Sequence, residues 1–226
     1  FKSAPWTMGW YPTYRSEGNI YGTYIRANMK DARIAILSQN DDYGRDFVAG
    51  FKAGLGEAAD KLIVKELTYE VSEPTIDSQI VTLKASGANV LFSASTAKAA
   101  AQTIKKTAEL DWRPTHFLVQ NANSISTVLA PAGLNNAVGL ISTAYLKDPV
   151  DPQFANDEGM KWYLSFMKKY YPDGDVNDPQ NQIGVSIAAT FVQGLKQCGN
   201  DLTRDNVMKQ GNSIKDLELP LLLPGV

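Results

Sequence analysis

The chain holds one cysteine and one histidine in 226 residues. Cys198 has no second thiol, so an intrachain disulfide is excluded and the redox compartment stays open. Cys198 reads as a buried apolar thiol on a helix, with a reactive thiol as the alternative. Cys198 and His116 together cannot assemble a His/Cys metal site. His116 opens an expected strand, where a hydrogen-bonded structural role competes with catalysis. No uninterrupted apolar run approaches the ~20 residues of a membrane-spanning helix. Positive charge is not in excess either, the formal net charge being -2, which argues against a general nucleic-acid or anionic-membrane binder. Three signatures are missing: the phosphate loop ending in Gly-Lys-Ser/Thr, the dinucleotide fingerprint and the nucleophile elbow. The chain starts at Phe1 without an initiator Met or a signal peptide and reads as a processed or truncated piece, so the absent signal says nothing about export.

What is present is a rhythm. After an aromatic, proline-punctuated run from Phe1 to Tyr14, which reads as a crossing segment or cleft wall, Ile20, Tyr21, Tyr24 and Ile25 recur at helical spacing and predict a helix from Ser16 to Asn28. Ile34 to Ser38 is an apolar strand. It is followed by a helix over Arg45 to Ala59 with Phe47, Phe51 and Leu55 as its core stripe. Leu62 to Tyr69 is the next strand, and Ile76, Ile80 and Leu83 share a face of the helix that Gly87 ends. Asn89 to Ser93 reads as a strand buried on both sides. An Ala-rich helix follows from Ala97 to Leu110, then the strand His116 to Val119, a short helix through Val128 and Leu129, and a last strand from Val138 to Tyr145. Alternation of this kind is the signature of βαβ units and a parallel sheet covered on both faces.

After Tyr145 the texture changes. Lys147 to Pro152 is a polar, proline-stiffened linker and the expected domain boundary. Beyond it only helices are expected. One spans Gly159 to Tyr171, with Trp162, Phe166 and Tyr170 as its stripe. A second spans Asn181 to Gln197, with Ile183, Ile187, Phe191 and Leu195, and a third runs from Thr203 to Asn212. An extended tail follows from Leu217 to Val226. Three amphipathic helices without a sheet must bury their stripes on something.

The corner Asn40-Asp41-Asp42-Tyr43-Gly44 joins the first strand to its helix. Asn40, Asp41 or Asp42 can cap that helix, and Tyr43 offers an aromatic face and a hydroxyl where open α/β sheets bind ligands. A capped turn and a ligand edge fit this segment equally. Asp41 and Asp42 could pair as acid and base or hold a cation, against the plainer reading as caps and solvated charges. Other carboxyl edges carry similar groups: Ser95 and Thr96, Asn121 and Asn123, and Tyr145. Hydroxyls, amides and aromatic faces without a nucleophile–base pair suit recognition better than turnover. No catalytic residue, cofactor or metal is therefore expected.

Several strings resemble one family. They are Pro5-Trp6-Thr7-Met8-Gly9-Trp10, the corner Asn40 to Gly44, Asp77-Ser78-Gln79-Ile80-Val81 with Leu83 to Gly87, Tyr145-Leu146-Lys147-Asp148-Pro149, and Asp201 to Met208. Together they resemble a type I periplasmic solute-binding protein of the branched-chain amino-acid (Leu/Ile/Val-binding-protein-like) class that feeds ABC importers. The resemblance implies an α/β fold of two Rossmann-like lobes with ligand between them. Residues 1–12 would be a crossing segment, 13–146 the second lobe, 147–152 a hinge crossing, and 153–226 the helical part of the first lobe with the third crossing. Most of the first lobe's sheet would be missing.

By the same resemblance, Tyr43 and Tyr145 would be second-lobe cleft tyrosines. Ser95, Thr96 and Asn121 would line the same edge, with Asp42 and Asn181 completing the ligand-binding set. Near Asn181 the family often places Tyr-Gly-Tyr, and Ile183-Gly184-Val185 stands here instead. That departure counts against an amino-acid ligand, since relatives also bind aromatic carboxylates, urea or short amides. The implied partners are a small carboxylate-bearing solute and an ABC permease, not nucleic acid. The implied setting is periplasmic, with a monomer at full length. A ligand-sensing regulator or receptor domain of the same fold is the alternative, and an enzyme using Asp41 or Asp42 ranks third.

Overall fold

A computed structural model describes residues 3–225, so the expectations at Phe1, Lys2 and Val226 lie outside the described residues. The chain forms two compact units, Pro12–Thr143 and a second that joins the described residues up to Tyr11 to those from Ala144 onward.

The sheet unit opens with α1 (Tyr14–Asn28). The helix begins at Tyr14 rather than Ser16 because Thr13 caps it, its Oγ1 accepting from the Ser16 N–H at 3.1 Å. Then follow β1 (Ile34–Gln39), α2 (Asp42–Leu55), β2 (Ile63–Tyr69), α3 (Asp77–Ala85), β3 (Val90–Ala94), α4 (Ala97–Glu109) and β4 (Thr115–Leu118). The strands make a four-stranded sheet in the order β2-β1-β3-β4, every pairing parallel. This is an α/β Rossmann-like sheet. The side-chain period of 2 sorts its residues between two faces. Ile34, Ile36, Val90 and Phe92 join Phe47, Phe51 and Leu55 of α2 on one face, where Phe51 and Phe92 stack at 4.2 Å. Ala35, Leu37 and Leu91 meet Ile76, Ile80 and Leu83 on the other.

Helices α1 and α2 touch backbone to backbone. Gly18 and Gly22 of α1 face α2, and Gly50 and Gly54 of α2 face α1. A Cβ at Gly22 would run into the Phe51 carbonyl oxygen, and one at Gly54 would lie 2.8 Å from the Thr23 nitrogen. Only glycine permits this approach.

The expected fifth strand, Val138 to Tyr145, does not form. Ile141 makes a single parallel bridge to Phe117. Its N–H donates to the His116 carbonyl, and its own carbonyl accepts from the Leu118 N–H, both at 2.9 Å. Further along, the Thr143 N–H donates to the Tyr21 hydroxyl at 2.9 Å, so a side chain of α1 takes a donor that a ladder would need.

The helical unit contains α5 (Glu158–Tyr170), α6 (Pro179–Cys198) and α7 (Arg204–Asn212). Met160, Tyr163, Met167 and Leu221 form its small core. Leu146 bridges antiparallel to Leu222. The Lys147 N–H donates to Leu221 O at 3.0 Å and the Leu223 N–H to Tyr145 O at 2.9 Å. Lys147 Nζ adds an ion pair to Asp157 at 2.8 Å and a bond to the Pro220 carbonyl at 2.9 Å.

Two stripes expected as core are only partly covered, with Phe166, Ile183 and Leu195 half-buried and the rest exposed. On α5, Trp162 is 43% and Tyr170 63% exposed, while Met160, Tyr163 and Met167 are buried. On α6, Ile187 and Phe191 are 40% and 52% exposed, whereas Gln182 and Ser186 are buried. Polar residues of α6 are bonded within this unit. Gln182 Nε2 donates to Lys147 O at 2.8 Å, and Thr190 Oγ1 accepts from Trp10 Nε1 at 2.8 Å.

Candidate functional site

In a parallel sheet of this order, the chain leaves β1 toward β2 on one side while β3 lies on the other. The crevice outside the carboxyl ends of β1 and β3 is where such sheets bind ligands. The corner after β1 is built from its last residue outward. Gln39 is buried, and its Nε2 donates to Asp41 Oδ2 at 2.6 Å. Asp41 Oδ1 accepts from the Gly44 N–H at 3.1 Å, which makes Asp41 the cap and begins α2 at Asp42 rather than Arg45. A side chain at position 44 would collide with the Gln39 carbonyl, so Gly44 closes the turn.

Tyr43 therefore sits in the first turn of α2. Its hydroxyl lies 3.0 Å from Asn121 Oδ1 and 3.2 Å from the Ser95 carbonyl, acceptors that follow β4 and β3. Its ring stands edge-on to Tyr14 at 5.0 Å and to Phe47 at 5.1 Å. Burial raises the phenol above its ordinary value, and the bond to Asn121 only partly opposes this, so the group remains a neutral donor. Beside it, Thr96 Oγ1 and the Tyr69 hydroxyl both reach Gln39 Oε1, at 3.0 and 3.1 Å, and the Thr96 N–H donates to the Tyr69 hydroxyl at 3.0 Å. Ser95 is buried, with its hydroxyl 3.0 Å from that of Ser93.

The structure thus brings Tyr43, Ser95, Thr96 and Asn121 to one edge. Asp42 stands apart, its side chain 99% exposed and paired with Arg45 at 2.8 Å. Tyr145 and Asn181 belong to the helical unit. Tyr145 stacks on Tyr11 at 6.2 Å and meets Trp10 edge-on at 6.1 Å, and Asn181 Nδ2 donates to Asp175 O at 2.8 Å. His116 lies at the opposite end of β4 from Asn121. It is buried, its Nε2 has no partner among the described residues, and desolvation pushes its pKa down to about 3. Cys198 is buried, with Sγ donating to Gly194 O at 3.2 Å.

Sequence reading missed Gln39 and Tyr69, which hold Thr96, and Tyr14 and Glu17 on α1. Gln39 and Tyr69 end neighbouring strands and pair in register, so strand ends alone would have flagged both. No pattern along the chain brings α1 to the carboxyl edge. The edge offers hydroxyl donors, amide groups and an aromatic rim, and among the described residues no base is bonded to the Ser95 hydroxyl.

The chain has the fold of type I periplasmic binding proteins. The chain belongs to that family: the model described as "Periplasmic binding protein" matches residues 1–224. Among solved structures, a substrate-binding periplasmic protein from Ralstonia solanacearum aligns with TM-score 0.74 at 18% identity, over 96% of this chain and 61% of its own. A branched-chain amino-acid ABC transporter protein from Thermus thermophilus with bound valine aligns with TM-score 0.76 at 18% identity, over 93% and 56%. A leucine-binding protein from Thermotoga maritima gives TM-score 0.66 at 12% identity, over 87% and 53%. The chain therefore spans little more than half the length of these structures. No curated protein matches the sequence.

Proposed function

We propose that the protein captures a small solute at the carboxyl edge of its sheet unit and works as the extracytoplasmic binding component of an ABC importer. The observation that carries this is the Tyr43 hydroxyl, placed between the Ser95 carbonyl and Asn121 Oδ1. It ties the ends of β3 and β4 to α2 in a rim of donors and acceptors that a solute can compete for or extend. Family membership supports the reading, as does the valine held by the Thermus relative. The solute class proposed is a small carboxylate-bearing molecule, with branched-chain amino acids first and aromatic acids second. Capture would proceed by lobe closure, a shift of population between open and closed states, and delivery would be to a membrane permease.

The exposed residues of the α5 and α6 stripes support a second part of the proposal. Residues 153–226 belong to another lobe whose sheet covers Trp162, Ile187 and Phe191, and 147–152 is a crossing between lobes. Asn181 and the cleft tyrosine Tyr145 are proposed to contact the solute as well.

Isothermal titration of the longest natural form of the protein with L-valine, L-leucine and benzoate tests the reading. Saturable binding of one of them is expected, and Tyr43→Ala should weaken it by about 1–3 kcal/mol, with a loss of fold stability as well because its ring packs on Tyr14 and Phe47. Binding that is unchanged in Tyr43→Ala, with only the loss of stability, would assign Tyr43 to the capped turn alone.

A further inference from the structure

Glu17 lies in the first turn of α1, far in sequence from the edge it touches. Its Oε1 accepts from the Gln120 N–H at 2.7 Å and from Thr143 Oγ1 at 2.9 Å, with the Tyr21 hydroxyl also at 2.9 Å. The Tyr21 hydroxyl in turn lies 2.9 Å from the Leu118 carbonyl and accepts from the Thr143 N–H at 2.9 Å. One carboxylate oxygen thus gathers the end of β4, the turn that follows it and the last residue of the sheet unit. Gln120 opens the 3-10 turn Gln120–Ala122, and the next residue, Asn121, accepts from Tyr43.

Glu17 has little freedom of its own. The following residue, Gly18, is pressed against the Phe47 backbone, and Tyr14 packs on both Tyr43 and Phe47. Among the described residues no basic side chain is bonded to Glu17, so its charge is balanced by hydrogen bonds alone. A carboxylate held this way gains from each donor it receives and fixes the groups that donate.

We infer that Glu17 is the positioning residue of the recognition edge: through the Gln120 N–H it sets the turn that presents Asn121 to Tyr43. The inference rests on the proposed role of that edge, yet its structural content can be read without a ligand. Burial is the largest influence on Glu17 and raises its pKa above the ordinary carboxylate value, with the bonds from Gln120, Thr143 and Tyr21 opposing. The titratable groups that sense its charge are the Tyr21 and Tyr43 phenols.

The test is amide NMR of the whole chain across an acid-to-neutral pH series, on the natural sequence, Glu17→Gln and Glu17→Ala. In the natural chain the Gln120 amide proton should titrate, with a midpoint above that of an ordinary glutamate. In Glu17→Gln that titration should vanish while the Tyr43 ring and Asn121 side-chain signals stay in place, since the amide oxygen still accepts. In Glu17→Ala the Tyr43 and Asn121 signals should shift, and Gln120 amide exchange should accelerate by about tenfold or more. Unmoved Tyr43 and Asn121 signals in Glu17→Ala, or a Gln120 titration that persists in Glu17→Gln, overturn the inference. If Glu17→Ala does not fold, the natural chain and Glu17→Gln decide between these outcomes.

A parallel titration with L-valine, L-leucine and benzoate separates the two proposals. If one of them binds, Glu17→Ala should lose about tenfold in affinity and Glu17→Gln should keep it within about twofold. If none of L-valine, L-leucine and benzoate binds to any of the three chains, the ligand assignment fails, and the NMR result still stands or falls alone.

Discussion

The sheet unit and the helical unit answer the same sequence pattern in opposite ways. Phe47, Phe51 and Leu55 recur every fourth residue on α2, and each is buried against the sheet. Ile187 and Phe191 recur in the same manner on α6, and both are exposed. Periodicity therefore reports which face of a helix seeks cover; whether cover exists depends on what else has been folded beside it. In the helical unit the buried side of α6 instead carries Gln182 and Ser186 beside Gly194 and Cys198. Gln182 and Thr190 are used there to hold the backbone at Lys147 and the indole of Trp10.

The contrast is sharpest in matched truncations. Phe51→Ala should cost about 4 kcal/mol in chemical denaturation, since it empties a site stacked on Phe92. Phe191→Ala in this chain should change stability by less than about 0.5 kcal/mol. If a sheet covers α6 as proposed, the Phe191→Ala cost in that form should climb toward the Phe51→Ala value. Equal costs in the present chain would break the comparison.

Glycines offer a second pairing of smaller size and opposite sign. Gly22→Ala should destabilise by about 3 kcal/mol, because the new Cβ meets the Phe51 backbone and forces α1 away from α2. Gly184→Ala on α6 meets nothing within 4 Å. It should stabilise by about 0.5–1 kcal/mol through helix propensity alone. Thermal unfolding of the two variants reads both signs.

Acid adds a graded test that falls on the sheet unit. His116 has an ordinary pKa of 6.5 and a folded value of about 3, so the unfolded chain binds a proton that the folded one refuses. Its contribution is fully present above pH 6.5 and is lost as pH falls from there toward 3. The slope from this one group approaches ~1.4 kcal/mol per pH unit. Denaturation curves over that window should flatten in His116→Phe. An unchanged slope would remove His116 as the buried acid-sensitive group.

How much was legible in the sequence follows from the same physics. Strands β1 to β4 and their helices were readable because a buried parallel strand is nearly all apolar and its helix carries one stripe; both signals are local. The strand expected at Val138 to Tyr145 failed because its apolar pattern said nothing of Tyr21, whose hydroxyl takes the Thr143 N–H from more than a hundred residues away. Tyr43, Ser95, Thr96 and Asn121 share one edge, as a rule about strand ends places them. Asp42 obeyed that rule and turned to solvent, since Asp41 had already capped the helix and Arg45 lay within reach on the next turn. Glu17 was invisible because its partners converge only once α1 has packed on α2.

The antiparallel bridge between Leu146 and Leu222 has a consequence in the language of polymer loops. All three helices of the helical unit lie in a single loop whose neck is that bridge. Loop-closure entropy grows only logarithmically, each doubling of length adding about 0.6 kcal/mol. Insertions between α5 and α6 or between α6 and α7 are therefore weakly opposed by chain statistics. A one-residue slip at the neck would instead misplace the Lys147 and Leu223 amides together and turn Leu222 to the other side of the pair. Variation in length should collect inside the loop, while the register at its neck is held.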